Sequence, residues 1–200
     1  MRLLYVVTAW PRWTSDVITP WLVKQVELLT RTGYSVDVFC PSYRGGGATA
    51  WSSDDVIEYP VHRFRYFPAR WEDLTHDVPA SDRARGFVGK LKALCYLLGG
   101  AVEMHSLMGR KHFDVVHIHW PWPHMLFGVV AKAANRKVKV VATFYGAEFA
   151  AVRGKPLYRW LLRRWMRHAD RVTAISSYTA GLAREFTDKK VELIPYGVTV

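Results

Sequence analysis

Cysteine is nearly missing from this 200-residue chain: Cys40 and Cys95 are the two it has. With no spacing pattern around them, they exclude a disulfide framework. They read as reduced, buried thiols of a cytoplasmic protein. Long apolar runs are missing as well, since nothing approaches the ~20 residues of a membrane span. The apolar stretch 3–9 is too short for a secretory leader, and the following WPRW (10–13) offers no small-residue cleavage site, so none is expected. Acidic residues are scarce: 17 Asp and Glu face 28 Lys and Arg, a net charge of +11. A polyanion is therefore expected as partner, whether nucleic acid, a phosphorylated ligand or an anionic membrane. Gly45-Gly46-Gly47 lacks the Lys-Ser/Thr of a phosphate-binding loop and opens no helix, so it receives no phosphate role. Repeats and low-complexity segments are absent. With 50% hydrophobic residues the chain is a folded globular one.

What is present is organised around 113–149. Residues 114–118 form a short apolar run rich in β-branched side chains, suited to a strand buried on both faces. His119-Trp120-Pro121-Trp122-Pro123 ends it, and Pro123 suits the first turn of a helix. Met125, Leu126, Val129, Val130 and Ala133 recur at helical spacing up to Asn135, and 138–143 is a second apolar strand. This β-α-β unit predicts parallel strands with a right-handed crossover. Ligands of open parallel sheets sit beyond the carboxyl ends of the strands, here His119-Trp120 and Tyr145–Glu148.

The rest of the chain follows the same alternation. Strands are expected at 3–7, 36–40, 60–67, 171–175 and 191–194. A first helix capped by Ser15-Asp16 runs to about Thr32, with Ile18, Leu22, Val26 and Leu29 inward and Gly33 as its stop. A long helix over 82–110 is expected to turn Phe87, Leu91, Leu94, Leu98, Ala101 and Leu107 inward and to kink at Gly99-Gly100. Ser176 or Ser177 caps a last helix reaching about Phe186. The fold class is α/β, a doubly wound, mainly parallel Rossmann-like sheet with helices on both faces. Strand 3–7 should lie beside 114–118, so that loops 10–19 and 119–123 line one crevice with 145–148.

Several residues carry chemistry. His117 and His119 share one strand face. With His112 and His124 nearby a zinc site comes to mind, but no Cys or carboxylate stands at zinc spacing, so no metal is expected. His117 reads as a satisfied core histidine and His119 as the site residue. Glu148 is either a base or sugar ligand, or a solvated loop carboxylate. Tyr145-Gly146 is either a close-approach turn for a ligand or an ordinary strand exit. On the helix at 155–169, Leu157, Tyr158, Leu161, Leu162, Trp165, Met166 and Ala169 take one half of the wheel. Arg159, Arg163, Arg164 and Arg167, with Trp160 among them, take the other. A tryptophan set between arginines fits an anionic membrane surface, with a plainly solvated face as the alternative. Nucleic acid is the rival partner, but no binding motif for it is present.

The segments DVVHIHW (114–120), VVATFYGAEF (140–149), ADRVTAISSYT (169–179) and VELIPYGV (191–198), in that order, resemble the N-terminal half of family 4 glycosyltransferases of the GT-B fold. WPRWTSDVIT (10–19) and TRTGYSVDVFCP (30–41) are similar to that family too, particularly its polysaccharide- and lipid-linked-glycan branch. The resemblance covers nearly the whole chain. It implies an acceptor-binding Rossmann-like domain over 1–194 and the start of an interdomain linker at 195–200. A separate C-terminal domain would bind the nucleotide-sugar, and this half alone would transfer no sugar. It further implies transfer with retention, no metal or other cofactor, and a glycan or lipid-linked acceptor, without nucleic acid. The location implied is cytoplasmic, peripheral on the inner face of the cytoplasmic membrane.

The catalytic residues it suggests are Glu148, His119 and Tyr145, where Tyr145 stands in place of the family's histidine. The glycine pair many members carry after the first strand is replaced by 12–16. Arg12, Ser15 and Asp16 are thus candidate substrate contacts through a helix N-terminus, together with Trp120, Gly146 and Ser176. Arg159, Trp160, Arg163 and Arg167 are the candidate membrane contacts. A stand-alone Rossmann-like binding module and a basic nucleic-acid-binding protein remain as the other classes.

Overall fold

The computed structural model describes residues 1–13, 15–47, 49–51, 58–76, 83–84 and 86–195. Its strands are β1 (Arg2–Val6), β2 (Ser35–Pro41), β3 (Ala50–Trp51), β4 (Tyr59–Phe64), β5 (Val115–His119), β6 (Lys139–Phe144), β7 (Arg171–Ala174) and β8 (Val191–Leu193). The helices are α1 (Pro20–Arg31), α2 (Gly86–Arg110), α3 (Pro121–Ala134), α4 (Ala147–Val152), α5 (Pro156–Met166) and α6 (Ser177–Ala183). One sheet runs β3-β4-β2-β1-β5-β6-β7-β8, parallel throughout except for the two-residue β3. The chain order reverses between β1 and β5, which pair with Tyr5 opposite His117. Of the expected linker at 195–200, only Pro195 falls within the described residues.

Alternation along the strands divides the core in two. Leu4, Val6, Val116 and Ile118 face a large cluster built with α2, α3, α5 and α6. Leu3, Tyr5, Val38 and Val61 face a smaller one covered by α1 through Leu22 and Val26. Helices therefore lie on both faces, unequally. Cys40 is buried and Cys95 half-buried, and both thiols are free.

Two helices depart from expectation, for identifiable reasons. The first helix begins at Pro20, not at Ser15-Asp16, and its N-cap is Thr19 in the left-handed region (φ 49) without a side-chain cap. Proline, with φ preset and no N–H to satisfy, is a good first helical residue. The Asp16 carboxylate instead takes charge-assisted bonds from Arg12 at 2.6 and 3.1 Å.

The second failure is the face of α2. Phe87, Leu91, Leu94 and Leu98 point outward, and the buried residues are Gly89, Tyr96, Gly100, Met104, Leu107 and Met108. This helix is apolar nearly all round, so periodicity alone leaves two stripes to choose between. The glycines decide. A Cβ at Gly99 would come within 2.5 Å of the Arg65 carbonyl oxygen, and one at Gly100 would strike the Phe127 ring. Gly99-Gly100 is thus a close-approach face, and the helix runs through it without interruption.

Candidate functional site

Parallel pairing brings the ends of β1, β5, β6 and β7 to one edge of the sheet. There the register sets Tyr5 beside His117, His119 beside Thr143, and Thr143 beside Thr173. All these side chains share the face that carries the smaller core. Their polar atoms form a short network. Thr143 Oγ1 lies 2.7 Å from His117 Nε2 and 2.6 Å from Thr173 Oγ1. His117 is satisfied, as expected.

His119 sits next to it, with ring centroids 4.1 Å apart, and Tyr5 packs against both imidazoles at 5.0 and 4.8 Å. His119 is buried, and its Nδ1 is 2.6 Å from the Tyr145 hydroxyl. Its Nε2 is enclosed and has no hydrogen-bond partner among the described residues. Burial, and then the nearby His117 and His124, push the His119 pKa well below its usual range, so the ring is neutral. Burial likewise lowers His117 to about 4. His124, bonded to Tyr96 Oη at 2.8 Å and to the Trp120 carbonyl at 3.0 Å, is also lowered by burial to about 4.

Trp120 leaves β5 in the left-handed region (φ 54) and caps the start of α3. Its indole stacks on Tyr145 at 4.4 Å. Trp120 also packs against the cluster that holds Trp10, which ties loop 10–19 to the same edge. The first, fifth and sixth strand exits thus meet as the topology requires.

Glu148 is neither solvated nor free. It is buried in the first turn of α4, where Oε1 accepts the Tyr145 N–H at 2.9 Å and Oε2 the Gly146 N–H at 2.7 Å. Burial raises its pKa, and the backbone N–H groups oppose that rise. The carboxylate clamps the turn that presents Tyr145, and Gly146 (φ 113) permits that turn.

The other candidates are also engaged. Ser176 caps α6, with Oγ accepting the Thr179 N–H at 3.1 Å and donating to Thr179 Oγ1 at 2.9 Å. Arg12, besides binding Asp16, stacks over Trp13 at 4.3 Å and Tyr43 at 4.6 Å. Burial raises the Asp16 pKa, but Arg12 outweighs it and holds the carboxyl below its ordinary value. Ser15 is exposed and lies off any helix N-terminus.

Sequence reasoning missed Tyr5, Thr143 and Thr173 as members of this edge. The inward positions next to the strand exits were the available signal. No group of three metal-ligating side chains occurs among the described residues.

On α5 the basic half of the wheel faces outward as expected, with Trp160, Arg163, Arg164 and Arg167 exposed. Arg159 is half-buried and donates to Glu185 at 2.8 Å, and Arg163 Nε donates to the Glu185 carbonyl at 2.6 Å. A groove beside it is lined by Arg163, Arg167, Arg184 and Lys189 together with the acids Glu185 and Asp188. The apolar half is only partly inward: Leu162 and Met166 are buried, but Leu157 is 61% exposed. Tyr158 stacks on Trp122 at 4.8 Å, and Trp122 on Trp165 at 5.7 Å. The first turn of α5 rests on this aromatic stack above α3, short of the core.

With this geometry in place, likenesses to known proteins are informative. The family model described as Glycosyltransferase Family 4 matches residues 22–200. N-acetyl-alpha-D-glucosaminyl L-malate synthase of Bacillus anthracis is 29% identical over 82 residues, which are 40% of this chain and 22% of that protein. Sucrose-phosphate synthase from Thermosynechococcus elongatus superposes with a TM-score of 0.62 at 14% identity, over 98% of this chain and 48% of that one. Acinetobacter baumannii MurG gives 0.50 at 10% identity, over 100% of this chain and 46% of that one. At such identities the solved structures speak to fold alone. The chain spans about half the length of those structures, and the stretch matched to the curated relative covers less than a quarter of that protein.

Proposed function

Because the chain belongs to glycosyltransferase family 4, we propose that it is the acceptor-side half of a GT-B enzyme. In this reading the enzyme moves a sugar from a nucleotide-sugar to a glycan or lipid-linked acceptor, with retention and without a metal. A second domain supplies the nucleotide-sugar site. The work belongs to polysaccharide or cell-envelope glycan synthesis, in the cytoplasm at the inner face of the membrane.

The observation that carries this reading is the unpartnered Nε2 of His119, enclosed beside the Trp120–Tyr145 stack. A buried polar atom left unpaired costs about 1–3 kcal/mol. A hydroxyl that reaches this atom once the rings enclosing it shift aside would recover that cost. Because the imidazole is neutral and its Nδ1 faces the Tyr145 hydroxyl, the state of Nε2 follows from that bond. If Tyr145 donates to Nδ1, Nε2 carries the hydrogen and donates to a sugar oxygen. If Nδ1 donates to Tyr145, Nε2 is the acceptor for a hydroxyl proton. The pair is suited to orient an acceptor hydroxyl, and the Trp120 ring offers a face for a sugar to lie against. Glu148 acts indirectly, by holding the Tyr145–Gly146 turn. The lipid-linked acceptor would be met at an anionic bilayer, toward which α5 turns Trp160, Arg163 and Arg167.

The test is a comparison of His119→Ala, His119→Gln and Tyr145→Phe in the intact enzyme. His119→Ala is expected to lower turnover by roughly 10²–10⁴-fold, the range of a lost proton-transfer group, with the circular dichroism spectrum unchanged. His119→Gln guards against loss of folding, and Tyr145→Phe should give a smaller loss. Unaltered kcat/KM in a folded His119→Ala enzyme would overturn the assignment.

A further inference from the structure

The outward face of α2 is apolar along four turns. Phe87 is 82% exposed, Leu91 41%, Leu94 53%, Leu98 57% and Val102 70%. Spacings of three and four residues place them in one row, about 22 Å long at 1.5 Å per residue. Exposed single leucines are ordinary, but a contiguous row of this length marks a contact surface.

Its surroundings indicate the partner. The segment beside the N-terminal half of α2 carries Trp71, 45% exposed, with Arg70 over its ring at 4.5 Å. Lys92 lies over Phe67 at 5.9 Å, and Phe67 contacts Trp71 at 6.1 Å. Among the described residues, Asp73 is matched by Arg83 at 3.1 Å and Lys92 at 2.8 Å, and Glu103 by Arg110. Lys90 and Arg70 add positive charge. α2 packs on α3, and α3 on α5, all on the same side of the sheet. The apolar row and the exposed Trp160, Arg163 and Arg167 therefore belong to one helical layer. A second copy of the chain would bring +11 against +11, whereas an anionic surface is complementary.

We propose that α2 lies in the interface of an anionic bilayer, with Phe87, Leu91, Leu94, Leu98 and Val102 as the residues that enter the lipid. An exposed apolar row edged by Lys, Arg and Trp can enter the acyl boundary while its basic edge meets lipid phosphate. The proposal rests on the membrane reading above and moves the anchor from α5 to α2, leaving α5 as its electrostatic flank.

The experiment is co-sedimentation of the intact protein with phosphatidylglycerol–phosphatidylcholine vesicles and with phosphatidylcholine vesicles, without any sugar substrate. The wild type should bind the anionic vesicles, less so as salt rises, and bind the neutral ones at least tenfold more weakly. Leu94→Glu combined with Leu98→Glu should lower partitioning at least tenfold, with a melting temperature little changed because both side chains are more than half exposed. Arg163→Glu with Arg167→Glu should weaken binding to anionic vesicles alone. The proposal is overturned if the leucine double variant binds as the wild type does. It is overturned equally if wild type binds neither vesicle, or if the leucine substitutions convert a dimer to a monomer by light scattering. Because no transfer is measured, a failed His119 assignment leaves this result standing, and the reverse also holds.

Discussion

Acid should unfold this domain through its buried histidines. His117 and His124 are held neutral by burial, with pKa values near 4 against 6.5 for a free imidazole, and His119 is lowered in the same direction. Between those limits the unfolded chain binds a proton that the native state does not, so stability rises with pH and is lost as pH falls from 6.5 towards 4. Each such histidine contributes a slope of about 1.4 kcal/mol per pH unit. Over that window His117 and His124 together remove roughly 7 kcal/mol, against a total stability of about 5–15 kcal/mol for a domain. Glu148 acts with the opposite sign, since burial raises its carboxyl above the ordinary 4.5; as one group it does not cancel several. Urea unfolding followed by tryptophan fluorescence at intervals from pH 7.5 to 4.5 measures the slope. His124→Phe removes one titrating group, and should flatten the profile by about 1.4 kcal/mol per pH unit even though it forfeits the bonds to Tyr96 and Trp120. Constant stability from pH 7 to pH 5, or an unchanged slope in His124→Phe, would refute the claim that these rings are buried in neutral form.

Glu148→Gln sets an amide NH₂ against a backbone N–H of Tyr145 or Gly146, which already point at the carboxylate. A loss of about 1–3 kcal/mol is expected in thermal unfolding; an unchanged melting temperature would mean that the clamp adds nothing to the turn. Gly100→Ala drives a Cβ into the Phe127 ring and should destabilise by about 1–3 kcal/mol. Gly109→Ala, where the added Cβ meets nothing, should instead gain up to about 1 kcal/mol of helix propensity. Equal effects of the two substitutions would refute the close-approach role given to Gly100.

The sheet was legible because parallel strands buried on both faces leave a strong mark: 114–118 and 138–143 are short β-branched runs closed by turn residues. The pairing of β1 with β5 followed from the strand-helix alternation and a reversal of chain order, and the two strands do pair in parallel. The two-residue β3 and the shift of β4 to Tyr59–Phe64 were not legible, since residues this mixed in polarity carry no clear period. The face of α2 was misread because hydrophobicity says that a residue prefers burial, not which of two apolar stripes wins. That was decided by Gly99 and Gly100, whose missing side chains let the helix come close to β4 and α3, leaving the leucines outside.

The candidate site shows the same limit from the polar side. Its place was readable, because topology alone puts 119–120 and 145–148 at one edge. The roles of its residues were not, because a polar side chain near a turn has two kinds of partner, a ligand or the local backbone. Glu148 holds two backbone N–H groups and Ser176 holds one, while Asp16 answers Arg12. Each of these satisfies a demand that its own segment creates, so none needs a substrate to explain it. His119 differs. Its Nδ1 reaches a residue on the next strand exit, and among the described residues its Nε2 has no donor or acceptor to meet. A ring with one nitrogen fixed to the next strand exit and the other enclosed and unmatched among the described residues has a bond left to make, a condition that Trp10 Nε1 in the neighbouring cluster shares.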